Sequence, residues 1–439
     1  MTETAERSNE LRASAREESP VARVVSVHVP AARVRKAFEG AYRELAKSAR
    51  VKGFRPGKTP RSVLERLYGP AIAEDVESRL VAETLQEAVD SVGIVPVAEP
   101  SIDAKPPSPD ADFAYSARIE VKPAIALPDL GGLKGQRPKV AVEDAEIDSE
   151  LESLRVRRAP LVDEPAGTPI ADGHFVTLDS VGRIGGEAFP GGTAQGATLQ
   201  VGSGLYPEGF ESGLVGLVAG DDREIAATLP DDPSWGEAAG QAATFSVHVV
   251  AVKRRELPAL DDALAKDVGG FESLGALRDR IRADLTAIKE RDSRGRLRAS
   301  LMEGLLARVD FPVPPSLVTR RVQARLDMAH RELEGALPHD EIHARIDQWR
   351  EEWRPSAERE LREELLLEAI GEARGLAPDD EAVSARIDEL ARDQGVDARR
   401  LRKTYEDRGM RPALASALLR DRALDLVIAQ AEIEEVAGV

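Results

Sequence analysis

Gly53, Gly57, Lys58 and Thr59 read G-x-x-x-G-K-T, one residue short of the G-x-x-x-x-G-K-[ST] loop that wraps a nucleotide's phosphates in backbone N–H groups. Far along the chain, His339 and His343 stand four apart in PHDEIH, a spacing that sets two imidazoles on one helix face and offers both to one metal ion. Neither pattern is complete. The histidines are not H-E-x-x-H, the sequence shows no third ligand, and the same pair beside Asp340 and Glu341 equally describes a solvated helix face. Trp349 and Trp353, also four apart, read as an anchor between packed helices rather than as a base-stacking pair. The chain has no cysteine, which removes disulfides, thiolate metal sites and cysteine nucleophiles, and its serines, histidines and carboxylates form no hydrolase motif. Neither a cofactor nor a metal is expected.

The elements around the glycine–lysine loop narrow its chemistry. VARVVSVHV alternates its valines like a strand, and Pro30 opens a helix on which Val34, Phe38, Tyr42, Leu45 and Ala49 recur at helical spacing. A second helix is expected from Thr59 as N-cap with Pro60 at its first position. Its apolar stripe is Val63, Leu67, Ile72, Val76, Leu80, Leu85 and Val89, with a kink or break at Gly69-Pro70. The loop therefore joins two helices, whereas a phosphate-cradling loop follows a strand. Charge points elsewhere. Residues 21–60 carry ten Lys and Arg against Glu39 and Glu44, a net +8 inside a chain of net charge −18, which is the footprint of a polyanion-binding face. Phe54, beside Arg55 and close to Lys58, sits in a turn where an exposed phenyl ring is unfavourable unless it docks on a partner or staples onto the second helix.

GFRPGKTP, followed by RSVLERLYGPAIAEDV, closely resembles the ribosome-docking loop and next helix of bacterial trigger factor, and the resemblance runs through the whole chain in order. It implies that Gly53, Phe54, Arg55, Gly57 and Lys58 engage the large ribosomal subunit beside the exit tunnel. Pro56 stands where many relatives carry another basic residue. The partners implied are the ribosome and nascent or unfolded polypeptides, with a homodimer off the ribosome left open and no membrane. A stand-alone RNA-binding protein is the rival reading. It needs base-stacking aromatics near the basic stretch, where only Phe38, Tyr42 and Phe54 are available.

The fold expected is α+β and multidomain. A flexible tail over 1–20 precedes an N-terminal α/β ribosome-binding domain with its linker over 21–130. A small antiparallel β isomerase-type insert occupies 163–256, and 131–162 plus 257–439 form a long all-α C-terminal chaperone domain. The insert shows short alternating runs (HFVTLDSVGRI, TLQVGSG, DREIAATLP, AATFSVHVVAV) between glycine and proline turns. Residues 161–260 hold 14 acids against 5 Lys and Arg, so the insert is unsuited to RNA. Helices are expected near 142–160, 272–308, 315–334, 339–371, 378–394, 398–407 and 411–430, punctuated by prolines. The polar start MTETAERSNELRASAREE lacks the apolar core of a signal peptide, and no apolar run approaches the ~18 residues of a membrane span, so a cytoplasmic location is expected.

GGEAFPGG and VGSGLYPEGFESGLVGL resemble the FK506-binding type of peptidyl-prolyl isomerase. The resemblance implies an apolar pocket of Phe189, Phe210 and Phe245, with Trp235 as a nearby wall. It departs at Ser180, where an aromatic is usual, at Pro190, which replaces a common acid, and at Pro233, where a tyrosine hydroxyl is expected. Pro207 aligns with a residue whose backbone N–H donates to the bound peptide's carbonyl, and proline has no N–H to give. A one-residue shift in LYPEGF, restoring a donor from Glu208 or Tyr206, is the alternative. Isomerase activity is therefore expected to be weak.

Overall fold

In the computed structural model, residues 10–52, 54, 58–334 and 338–438 are described. The chain divides into two compact units, one formed by residues up to Pro138 with Gly295–Val436, the other centred on Lys139–Arg294.

In the first unit, strands β1 (Arg12–Ser19), β2 (Ala22–Val29), β3 (Ser101–Ala104) and β4 (Phe113–Glu120) form an antiparallel sheet in the order β1-β2-β4-β3. Val25, Val27 and Val29 of β2 and Phe113, Tyr115 and Ile119 of β4 alternate inward, as period-two patterning requires. They pack against Phe38 and Tyr42 of α1 (Ala31–Ser48) and Val76 and Leu80 of α2 (Arg61–Ser91). Inside this layer the hydroxyls of Thr84 and Tyr115 hydrogen-bond at 2.9 Å, satisfying two buried polar groups.

Four local expectations need correction. The segment from Arg12 is a strand rather than a tail. RASAREES has no apolar alternation because β1 is a sheet edge held by backbone hydrogen bonds to β2, with its charged side chains outward. Pro60, not Thr59, is the N-cap of α2, and the buried Thr59 Oγ1 has no hydrogen-bond partner among the described residues. The stripe of α2 enters the core through Leu64 and Tyr68, whereas Leu67 is exposed. The helix also runs unbroken through Pro70, which lies on its exposed side, where the carbonyl freed by the missing N–H can reach water.

Beyond β5 (Lys134–Pro138), the second unit begins with α3 (Asp144–Arg158). Ile147 and Leu151 of α3 bury against Ala265 of α5 (Asp262–Gly269) and Leu277 and Ile281 of α6 (Leu274–Leu306), so the amphipathic helix does pack on chain that follows much later. Between them lies a five-stranded antiparallel sheet of β6 (Leu161–Asp163), β7 (Phe175–Ile184), β8 (Glu187–Gln200), β9 (Asp222–Thr228) and β10 (Ala242–Arg255), with the short helix α4 (Phe210–Leu214).

The rest of α6 and the helices α7 (Pro315–Leu333), α8 (His339–Glu352), α9 (Arg354–Ala373), α10 (Asp380–Gln394), α11 (Ala398–Asp407) and α12 (Arg411–Gln430) belong to the first unit. Leu301, Leu326, Ile346, Leu366 and Val427 share its largest core. The single helix expected over 339–371 is interrupted at Trp353, because Pro355 has no N–H for the carbonyl of Glu351, although Trp353 itself keeps helical dihedrals. Trp349 and Trp353 stack at 5.1 Å on the core at this junction, the packing role expected of them. The chain also departs from helix near its end, where β11 (Glu432–Val436) pairs in parallel with β5.

Candidate functional site

Two surfaces can do the work expected of this chain. The first is the turn between α1 and α2. Phe54 is 40% exposed, and its N–H donates to the carbonyl of Val51 at 3.0 Å, which closes the turn. Of the ten cations of the basic stretch, Arg23, Arg33 and Arg35 pair with Glu17, Glu87 and Asp110. Lys36, Arg43, Lys47, Arg50, Lys52 and Lys58 are exposed and make no ion pair among the described residues. Gly53, Arg55 and Gly57 lie outside the described residues. Phe38 and Tyr42 are buried, leaving Phe54 as the one described aromatic of the stretch open to solvent. At the start of α2, the Arg61 guanidinium lies 5.2 Å over the Tyr42 ring while pairing with Glu65 at 2.8 Å, which seats the helix on α1.

The second surface is a pocket in the β sheet of the other unit. Between Val181↔Thr193 and Arg183↔Ala188, β7 advances by two residues while β8 advances by five, and the resulting bulge carries Phe189 over the sheet. Phe210 and Phe245 meet edge to face at 5.0 Å. Phe189 lies 6.1 Å from Phe245 and 6.5 Å from Trp235, and Tyr206 stacks on Phe210 at 6.0 Å. This close packing depends on Gly182, where a Cβ would come within 2.7 Å of both the Phe189 and Phe245 rings. The cavity between the rings is about 140 Å³, with Ser180, Tyr206, Pro207, Phe210, Trp235 and Phe245 in its wall. An apolar void of ~150 Å³ takes up a molecule as large as benzene. Phe210, Phe245 and Trp235 thus line the cavity, while Phe189 supports Phe245 and Trp235 from the side.

The loop that reaches this cavity is held by Glu211. Its carboxylate accepts from the N–H of Gly202 at 2.7 Å, the hydroxyl of Ser203 at 2.8 Å and the N–H of Gly204 at 3.3 Å. Burial pushes the Glu211 carboxyl up, but the hydrogen bonds from Ser203, Gly204 and Gly202, with the Tyr206 backbone nearby, outweigh it and hold the group below the usual carboxylate range. Gly209 then takes φ = 91° to start α4, where a Cβ would sit 2.8 Å from the carbonyl oxygen of Ala226. Pro207, which is buried in the wall, has no N–H to give, which leaves Tyr206 and Glu208 as the alternative donors. Sequence reasoning missed Glu211 because nothing marks a glutamate as the anchor of a loop several residues upstream.

Sequence models of the family described as bacterial trigger factor protein match residues 12–154 and, for its C-terminus, 273–429. A trigger factor of Desulforudis audaxviator (strain MP104C) is 35% identical over 415 residues, covering 93% of this chain and 94% of the relative. One of Anaeromyxobacter sp. (strain Fw109-5) is 34% identical over 420 residues, covering 95% and 98%. The chain belongs to the trigger factor family. Within it, residues 167–249 match the FKBP-type peptidyl-prolyl cis-trans isomerase model, so the β insert is a domain of that type. A solved trigger factor chaperone chain aligns over 96% of this chain and 100% of that one at 20% identity with a TM-score of 0.47, a likeness too low to add to the sequence matches. No helix among the described residues is long and apolar enough to cross a membrane.

Proposed function

We propose that this chaperone docks on the large ribosomal subunit beside the exit tunnel through the turn that carries Phe54 and Lys58, and there shields emerging chains in the cytoplasm. The observation that carries the reading is a phenyl ring exposed at a helix–helix turn, in a stretch with six exposed cations that make no ion pair among the described residues. A cationic face steers the protein to a polyanion, and an aromatic side chain in a pocket supplies the short-range anchor. Gly53, Arg55 and Gly57 belong to the same segment by family resemblance. Client segments are held by dispersed apolar side chains on the helical region, among them Ile288, Met328 and Met410, which are exposed, each with one charged residue beside it in sequence. Loose holding suits modest, separated patches, since a large continuous one would drive self-association. The FKBP-type domain binds prolyl segments in the cavity of Phe210, Phe245 and Trp235, with Phe189 behind them, and turns them over slowly because position 207 supplies no N–H.

The test is cosedimentation with ribosomes. The wild-type chain is expected to pellet with them and to be released as salt rises. Replacing Phe54, Arg55 and Lys58 together by alanine should abolish the pelleting while the circular dichroism stays unchanged. Retained pelleting by the folded triple variant would refute the assignment.

A further inference from the structure

The apolar cavity of the FKBP-type domain has a polar group in its wall that the fold leaves without a partner. Among the described residues of that wall, three side chains can make hydrogen bonds: Ser180, Tyr206 and Trp235. Tyr206 is exposed and Trp235 half-buried, whereas Ser180 is only 7% exposed. The Ser180 hydroxyl makes no hydrogen bond among the described residues.

Its direction follows from the strand. Val176, Leu178 and Ser180 of β7 alternate onto one face, and Ser180 lies opposite Val247 of β10, so its side chain shares the core side with Leu178 and Val247. Two residues on and on the same face, Gly182 lies opposite Phe245, whose ring forms the adjoining wall. A hydroxyl set among such neighbours gives up its bonds to water and gains none in return. An alanine would fill the same place without that loss, so the packing of the domain does not account for the oxygen.

The chemistry of a prolyl segment does account for it. Proline has no N–H, so beside its ring the backbone presents acceptors, namely the carbonyl of the preceding residue and that of the proline itself. Burying either carbonyl in an apolar cavity requires a donor from the wall. Pro207, on the loop side of the cavity, has no N–H to supply. A serine hydroxyl donates, and it rotates to meet its acceptor.

We propose that Ser180 is a substrate-binding residue, donating its hydroxyl hydrogen to a backbone carbonyl of the bound prolyl segment, an inference that rests on the reading of this cavity as the prolyl site. The hydroxyl then finds in the complex the partner it lacks in the free domain. Its removal has opposite consequences for folding and for binding, which a hydroxyl with a structural task would not give.

Titration of the full-length protein with a Phe-Pro tetrapeptide, followed by NMR, tests the proposal. The wild type should show saturable shifts in the Phe245 and Trp235 resonances. Ser180→Ala, which removes only the hydroxyl oxygen, should weaken the peptide's affinity about fivefold, the worth of one net hydrogen bond. The β domain of the same variant, followed by the same resonances, should unfold at the wild-type urea midpoint or above it, because an unpaired buried hydroxyl is gone. Wild-type affinity in Ser180→Ala would overturn the role of Ser180 and leave the cavity as the prolyl site. A lowered urea midpoint would show the hydroxyl to be structural and overturn it as well. The absence of saturable shifts in the wild type would overturn both readings.

Discussion

Replacing Pro207 by alanine is expected to accelerate isomerisation of a Phe-Pro peptide. Rotation about an X-Pro bond must cross ~18 to 20 kcal/mol, and an isomerase lowers this by hydrogen bonds that favour the twisted amide. The lack of one such donor is worth ~2.7 to 4 kcal/mol, or about a hundredfold to a thousandfold in rate. Pro207 is buried in the cavity wall, and by family resemblance an N–H placed there would face a bound peptide. Alanine keeps the carbonyl that accepts from the Phe210 N–H at 3.0 Å, so the loop retains its shape. Releasing the pyrrolidine constraint destabilises by only ~0.4 to 1 kcal/mol, well below the catalytic gain. A protease-coupled or NMR exchange assay should therefore give slow turnover for the wild type and a kcat/KM raised tenfold or more for Pro207→Ala, allowing for an imperfectly placed donor. Phe210→Ala in the same background should remove the gain. A Pro207→Ala protein no faster than the wild type, with its circular dichroism unchanged, would refute the reasoning.

Gly182→Ala should destabilise the FKBP-type domain by ~1 to 3 kcal/mol, since the new Cβ would press on two aromatic rings, and an unchanged urea midpoint would count against that packing. The depressed Glu211 carboxyl contributes stability that is complete above the ~4.3 of a free glutamate and is lost as pH falls through its lower folded value. The stability difference between wild type and Glu211→Gln should accordingly be largest near neutrality and shrink in acid, and a difference that grew toward acid would contradict the hydrogen-bond account. The chain enters and leaves the β domain side by side, with the Glu256 N–H donating to the Pro160 carbonyl at 2.9 Å. Deletion of residues 165–255 behind a short flexible linker should thus leave a folded protein that still suppresses aggregation of a denatured client. Total loss of suppression in that folded deletion would show that clients are held by the β domain instead.

What could be read from the sequence was what neighbouring residues decide among themselves. The limits of α10 and α11 follow from Asp379 and Asp397, whose carboxylates accept from the N–H groups of Ala382 and Arg400, and from Gly395, whose φ of 65° ends the first of them. The valines of β2 and the inward residues of β4 carry a period-two pattern because one face is buried. The basic turn at Phe54 and the aromatic set of the FKBP-type pocket were likewise visible in short motifs, as far as family resemblance could carry them. Tertiary structure decided the rest. β1 and β11 have no apolar alternation, and their hydrogen bonds come from the backbones of partner strands, in the case of β11 from β5, about 300 residues earlier in the chain. Glu211 became the anchor of the Tyr206 loop, and His330 the neighbour of His339 and His343, only when turns and helix packing brought them together. Caps and periodicity act over a few residues, so they leave a trace in the sequence. Convergence of distant side chains is set by the packing of whole elements, and it leaves none.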